Sequence, residues 1–394
     1  MFIQAKIRKC YNSDIVKKVL LITLLILLPV WIFNIYENVR RENRARQNRT
    51  IETIPIIPIV RATTTLEIIQ VTKTPTTTTT TTKKNLQPKA SVVVVTPAIP
   101  TFTMIQTPPE PAPDFEAINK FVRTTIVNIL CTVNDDSLSP ISGTGVVVGP
   151  NGIVLTNAHV AQYFLLRNLY RKDYVQCILR TGSPAYPTYH AELAYISPAW
   201  VSENKALLKS SSEKGTGEDD FAFLRIIDRI DSSPLMTLPY VTVNVDENPK
   251  IGTPVVLVSY PAGFLGGLTI SQNLNITSAI TVIQNLFTFQ LGTIDVIGVG
   301  GTVVSQNGAS GGAVVDGKSN LIGVIATRSS GDTTSSRELD AITLKYIDKR
   351  MQDETNLTLS QFLSQNISDF AKRFQADTAP TLTKIITDEL TKTN

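Results

Sequence analysis

The sequence predicts an all-β fold of two barrels in tandem, with an N-terminal transmembrane helix before it and helices after it. Three observations carry this. From Ile126 onward, short runs rich in Val, Ile, Leu and Phe alternate with clusters of Gly, Asn, Asp and Ser, the texture of half-buried strands separated by turns. About twelve such runs are visible, more than one small barrel needs. Outside this stretch the texture changes: an uncharged apolar segment and a Pro/Thr-rich tract precede it, and apolar residues at helical spacing follow it.

The strand runs are 124–133, 143–160, 174–181, 188–196, 220–227, 253–260, 293–301, 311–316 and 321–327, among others. Gly149-Pro150-Asn151-Gly152 breaks the second into a hairpin. Two long connections read as surface loops. One is Ser202–Glu218, and the other is Ala262–Leu291, which could add a hairpin over a cleft.

Hydrophobic residues make up 42% of the 394-residue chain, enough to bury a sizeable core. Charged residues are 18%, low for a cytosolic protein and suited to an exported or anchored one. The net charge of +4 is concentrated at one end. Residues 1–52 hold ten Lys or Arg against four acids, leaving 27 bases against 29 acids elsewhere. The folded part therefore lacks the basic stripe that a nucleic-acid partner demands. There are two histidines, His159 and His190, and no Cys-x-x-Cys pair among the three cysteines. A zinc site is not expected on that count, and no cofactor is called for.

Val19–Tyr36 is eighteen residues without a charge, near the lower limit for spanning a bilayer. Trp31 and Tyr36 sit at its far end, where amphipathic rings favour the headgroup layer. Lys6, Arg8, Lys9, Lys17 and Lys18 precede it, opposed only by Asp14, which puts residues 1–18 in the cytoplasm and the remainder outside. A cleaved signal peptide is the competing reading. The bulky exit Trp-Ile-Phe-Asn-Ile-Tyr argues against it, because signal peptidase sites need small residues. Residues 37–112 then read as a disordered stalk dominated by Pro and Thr, including Thr74–Thr82 with its single proline.

Three local patterns carry the chemistry. Leu155-Thr156-Asn157-Ala158-His159-Val160 follows a strand. Asp219-Asp220-Phe221-Ala222-Phe223-Leu224 places acids at the head of a buried run. Asn307-Gly308-Ala309-Ser310-Gly311-Gly312-Ala313 surrounds a serine with glycines. A serine hydroxyl needs an adjacent base to act as a nucleophile, and histidine titrates in the right range. A carboxylate must then fix the histidine tautomer. Glycines let the backbone around the serine turn sharply, so that N–H groups of Gly308 and Ser310 can converge as an oxyanion hole.

In this order and spacing, T-N-A-H-V, D-D-F-A-F-L and G-A-S-G-G-A resemble the motifs of the trypsin-like, chymotrypsin-fold serine peptidases. Among these the chain is similar to the HtrA/DegP-type bacterial enzymes, over roughly residues 113–350. The resemblance implies two six-stranded Greek-key barrels over residues 113–353 with a catalytic cleft between them. It implies His159 as general base, Asp220 as the orienting acid (Asp219 competing) and Ser310 as nucleophile. It also implies a specificity pocket walled by Ala326, Thr327 and Arg328, with its floor near Val304 and Ser305. No carboxylate stands at that floor, so a small or aliphatic side chain is expected there rather than Lys or Arg. The residue before the nucleophile is Ala309, which departs from the digestive enzymes' aspartate and from the HtrA asparagine. Residues 354–394 are too few for the PDZ domain that HtrA-type chains carry.

Cys131 and Cys177 fall on the first and fourth strands of the first barrel, neighbours in the family fold, and are expected to form a disulfide in an oxidising compartment. Two small buried hydrophobes remain the alternative. His190 alternates within a strand and reads as exposed or structural. In the C-terminal extension, Leu359, Phe362, Leu363, Ile367, Phe370 and Phe374 recur at helical spacing, with a second stripe after Pro380. These helices are expected to pack on the back of the barrels, with a partner-binding hairpin as the alternative. The chain thus reads as a membrane-anchored serine endopeptidase acting on a protein or peptide substrate. The other reading is an inactive module of the same fold that binds peptides or serves adhesion.

Overall fold

The structure is a computed structural model. It describes residues 112–392, except for 134, 136–137, 210–216, 247, 264, 290–292 and 328–337. Val19–Tyr36, most of the stalk and Arg328 lie outside the described residues. Among the described residues no helix is long and apolar enough to cross a membrane.

The chain enters through α1 (Phe115–Val122), capped by the Asp114 side chain accepting from the N–H of Ala117. Six strands follow: β1 (Ile126–Val133), β2 (Ile141–Gly149), β3 (Ile153–Thr156), β4 (Val175–Thr181), β5 (Tyr186–Ile196) and β6 (Ala222–Arg229). They close into an antiparallel barrel in the order β1-β2-β3-β6-β5-β4. Alternation along the strands sends Ile129, Val154, Leu179, Leu193 and Leu224 into its core, each with 1% exposure or less. Cys131 and Cys177 are directly opposed between β1 and β4, and their sulfurs are joined.

The second half differs from the expectation of a second closed six-stranded barrel. It contains β7 (Thr242–Val243), β8 (Pro254–Ser259), β9 (Thr277–Val282), β10 (Asn285–Phe287), β11 (Val296–Gly298), β12 (Ala313–Val315), β13 (Asn320–Thr327) and β14 (Leu339–Thr343). These form one sheet ordered β10-β11-β14-β13-β12-β8-β9, with β7 pairing β13 in parallel. The sheet curls without a complete ladder. Its edges β9 and β10 are consecutive in the chain, and the Thr281 hydroxyl reaches across to the Val299 carbonyl oxygen at 3.1 Å. The gap lies between β9 and β10: the three-residue β10 pairs with β11 alone, and no ladder joins it to β9. Val255, Leu257, Ile297, Val314, Ile325 and Ala341 fill its interior.

The segment Ala262–Leu291, expected as a surface loop, is partly regular structure. It supplies a short helix α4 (Gly267–Gln272) and the two edge strands. The other expected loop, Ser202–Glu218, begins as the end of α3 (Pro198–Asn204) and a 3-10 turn (Lys205–Leu208).

Among the described residues four helices follow β14: α5 (Leu344–Thr355), α6 (Leu359–Ser364), α7 (Ile367–Asp377) and α8 (Ala379–Thr391). Thr343 caps α5, and Thr358 with Gln361 forms a capping box on α6. The apolar faces of α6 and α7 turn onto the first barrel. Phe362 packs against Phe223 of β6 at 4.7 Å between ring centroids, and Phe374 against Tyr195 of β5 at 5.7 Å. Gln375 Nε2 donates to the Leu193 carbonyl at 2.6 Å, fixing α7 along β5.

Candidate active site

β3 ends at Thr156, and Asn157 begins a single helical turn, α2 (Ala158–Ala161), that carries His159. The same stretch pairs with the head of β6, Thr156 opposite Ala222, so Asp220, two residues before β6, comes to lie beside the histidine. There, His159 Nδ1 is 2.7 Å from Asp220 Oδ2, and the His159 backbone N–H donates to Asp220 Oδ1 at 2.9 Å. A carboxylate only accepts, so the ring proton sits on Nδ1 and the Nε2 lone pair is left for chemistry. Asn157 Nδ2 donates to the Asp220 carbonyl oxygen at 2.8 Å, tying the strand end to the acid's backbone.

Burial alone would lower the pKa of His159, but the Asp220 charge and its hydrogen bond outweigh that, and the value is raised above 6.5. The imidazole side chain retains 29% exposure while the Asp220 carboxylate has 9%, so the pair opens to solvent on the histidine side.

Ser310 is carried by the second sheet and meets the first barrel at β2. It lies in the turn before β12, with its carbonyl oxygen accepting from the Thr144 N–H of β2 at 2.8 Å. The Thr144 hydroxyl donates to the Gly308 carbonyl at 2.7 Å, and the Thr156 hydroxyl to the Thr144 carbonyl at 2.7 Å. The serine turn is thus fastened to the strands that deliver His159. Two glycines make that approach possible. At Gly311 (φ 85°) a Cβ would lie 1.9 Å from the Thr144 carbonyl oxygen, and at Gly308 (φ 88°) it would lie 2.7 Å from that of Tyr260. Within the turn, the N–H groups of Ala309, Gly311 and Gly312 bond to the carbonyls of Gln306, Ile325 and Ala309.

Asp219 and Asp220 take different partners. Asp219 has left-handed backbone (φ 55°), and its carboxylate meets Arg350 Nε at 2.5 Å, Arg350 Nη2 at 3.0 Å and the Tyr346 hydroxyl at 2.9 Å. The competing acid is therefore engaged by α5, and Asp220 is the one that faces the imidazole.

Val304 and Ser305 are fully buried, with the Ser305 hydroxyl accepting from the Thr302 N–H at 2.8 Å. Ala326 on β13 is 8% exposed, and the Thr327 backbone ends that strand. His190 lies exposed on the outer wall of the first barrel, with Nδ1 2.6 Å from Asp228 Oδ1 and no part in this constellation. Among the described residues no cluster of three or more His, Cys, Asp or Glu could hold a metal ion.

Residue patterns alone left some contributors without a role. Asn157 sits inside the T-N-A-H motif, yet nothing in the string says that its amide holds Asp220. Thr144 carries no signal, since threonine is ordinary in a strand. Tyr346, Arg350 and Glu354 do share one helix face at four-residue spacing, a detectable pattern, but their partner on the first barrel is remote in sequence.

Residues 143–324 match the family model described as the trypsin-like peptidase domain. Among solved structures, the serine endoprotease from Yersinia pestis is similar at 20% identity, over 63% of this chain and 68% of that one, with a TM-score of 0.40. A search of the curated proteins finds no match.

Proposed function

We propose that this chain, a serine endopeptidase with a trypsin-like peptidase domain, cuts polypeptides with His159, Asp220 and Ser310 while tethered to a membrane by Val19–Tyr36. The carrying observation is the two-point bond of His159 to Asp220, 2.7 Å at Nδ1 and 2.9 Å at the backbone N–H, at the end of β3, the strand paired with the β2 that holds the Ser310 turn. In this reading His159 Nε2 takes the Ser310 hydroxyl proton as Oγ attacks the scissile carbonyl. The N–H groups of Gly308 and Ser310 receive the developing oxyanion. The imidazolium, stabilised by Asp220, gives its proton to the leaving amine, and water repeats the sequence on the acyl-enzyme.

The substrate side chain next to the cut would enter beside Ala326, Thr327 and Arg328, above Val304 and Ser305. An apolar valine at the floor offers nothing to pair a buried cation, which favours small or aliphatic side chains. A peptide-library profile dominated by Lys or Arg would contradict this. With the N-terminus cytoplasmic, the peptidase domain works on the far side of the membrane.

A fluorophosphonate probe tests the central claim, because it labels only an activated serine. Labelling of the full chain, abolished in Ser310→Ala and in His159→Ala, is the expected result. An unlabelled wild-type chain would leave a peptide-binding module of the same fold.

A further inference from the structure

Asp219 precedes the proposed catalytic acid, and its carboxylate is 6% exposed. It is turned toward α5, where Arg350 grips it through Nε and Nη2 and Tyr346 adds a hydroxyl. Arg350 is itself held from behind. Glu354 accepts from Arg350 Nη2 at 3.1 Å and from the Ser197 hydroxyl at 2.9 Å, and it also bonds the Tyr195 hydroxyl. The hydrogen bond to Asp219 and the nearby acids raise the pKa of Arg350, so this guanidinium is charged throughout. Asp220 therefore emerges from a peptide unit pinned on one side by α5. On the other side its own carbonyl is pinned by Asn157.

We propose that Arg350, with Tyr346, is a positioning pair: by holding Asp219 it sets where Asp220 presents its carboxylate to His159. The proposal rests on the triad reading above. Both Asp220 oxygens are bonded to His159, one through the ring and one through the backbone. The acid and the imidazole consequently move together, and their place relative to Ser310 depends on how firmly the backbone at Asp220 is held. With Arg350 removed, Asp219 is a buried charge without its main partner and must turn toward water, taking the adjoining peptide with it. A displacement of about 1 Å in a catalytic group costs on the order of a hundred-fold in rate. The C-terminal helices would thus be coupled to the chemistry without touching substrate.

The test uses the full chain with Arg350→Met, Arg350→Lys and Tyr346→Phe. The control is Ile386→Ala, which weakens α8 packing and has no contact with Asp219. Expected are parallel losses of kcat and of the fluorophosphonate labelling rate, roughly ten- to a hundred-fold for Arg350→Met, with KM nearly unchanged. The far-downfield proton signal of the His159–Asp220 bond shifts or disappears. Arg350→Lys recovers part of the activity, Tyr346→Phe loses less, and Ile386→Ala lowers Tm while kcat and the proton signal stay at wild-type values. If Arg350→Met does not fold, Arg350→Lys and Tyr346→Phe carry the same comparison. Wild-type kcat and proton signal in the Arg350 variants, or an equal kcat loss in Ile386→Ala, overturns the positioning role. Wild-type labelling of Ser310→Ala is a separate result, and it removes the triad reading itself.

Discussion

Charge balance at His159 links activity to stability with opposite signs. Its pKa lies above 6.5 because Asp220 outweighs burial. Proton abstraction needs the neutral ring, so kcat/KM should rise with pH through a midpoint above 6.5. Stability moves the other way. The folded state holds its proton more tightly than the unfolded chain, so this contribution is complete below pH 6.5 and fades as pH climbs through the raised value. Paired pH–rate and pH–melting measurements should show the two trends crossing, and an activity midpoint below 6.5 would refute the assignment. Asp220→Asn should lower kcat by about ten-thousand-fold, since an amide lets the wrong tautomer persist, and should reverse the sign of this pH slope in stability, because burial alone lowers the His159 pKa. Gly311→Ala should be inactive for a steric reason, its Cβ having no room beside the Thr144 carbonyl. The pairing of His159 with Asp220 was legible because the two motifs each need special residue types within a few positions. What was not legible, such as Asn157 holding Asp220 or Arg350 holding Asp219, depends on contacts between segments 63 and 131 positions apart.

The elements divide by how local their signals are. The first barrel follows from long alternating runs whose register one buried face enforces. The second sheet was misread because β10 and β11 are three residues long and β9 reads Thr-Ser-Ala-Ile-Thr-Val, too polar to announce a strand. The C-terminal helices were visible from their stripes and were expected on the back of the barrels, but the particular strands they cover were not. For α6 and α7 that surface is the outside of β5 and β6, where Phe362 is fully buried beside Phe223 and Phe370. Phe362→Ala should therefore cost about 3–5 kcal/mol in urea unfolding, by cavity formation. A loss below about 1 kcal/mol would mean these helices are dispensable to the barrel. The Cys131–Cys177 bond closes a loop between residues 46 apart, cross-linking β1 to β4 at one edge of the barrel seam. Serine at both positions should lower stability by about 2–4 kcal/mol, largely through the unfolded chain's regained freedom. Labelling at Ser310 should persist in the surviving folded fraction, because β1 and β4 do not carry the site.

The proposed anchor and the folded domain make separable demands on the chain. Every residue of the site lies between Thr144 and Arg350, inside the unit Phe102–Asn394, so chemistry should not depend on the first 36 residues. Location should depend on Val19–Tyr36, the uncharged apolar segment. Deleting residues 1–36 should then move the protein from the carbonate-resistant membrane pellet to the supernatant. kcat and KM on a short soluble peptide should remain unchanged. Shortening the stalk makes a different prediction. As a coil, residues 53–112 would span roughly 45 Å, and as polyproline II about 185 Å. Their removal should spare peptide cleavage yet slow the cutting of large substrates, whose bulk must fit between the domain and the lipid surface. Carbonate extraction of the full-length chain, or an N-terminus that begins after residue 36 when the protein is isolated from cells, would refute the anchor. The peptidase assignment would stand, because it draws on geometry that the anchor does not enter.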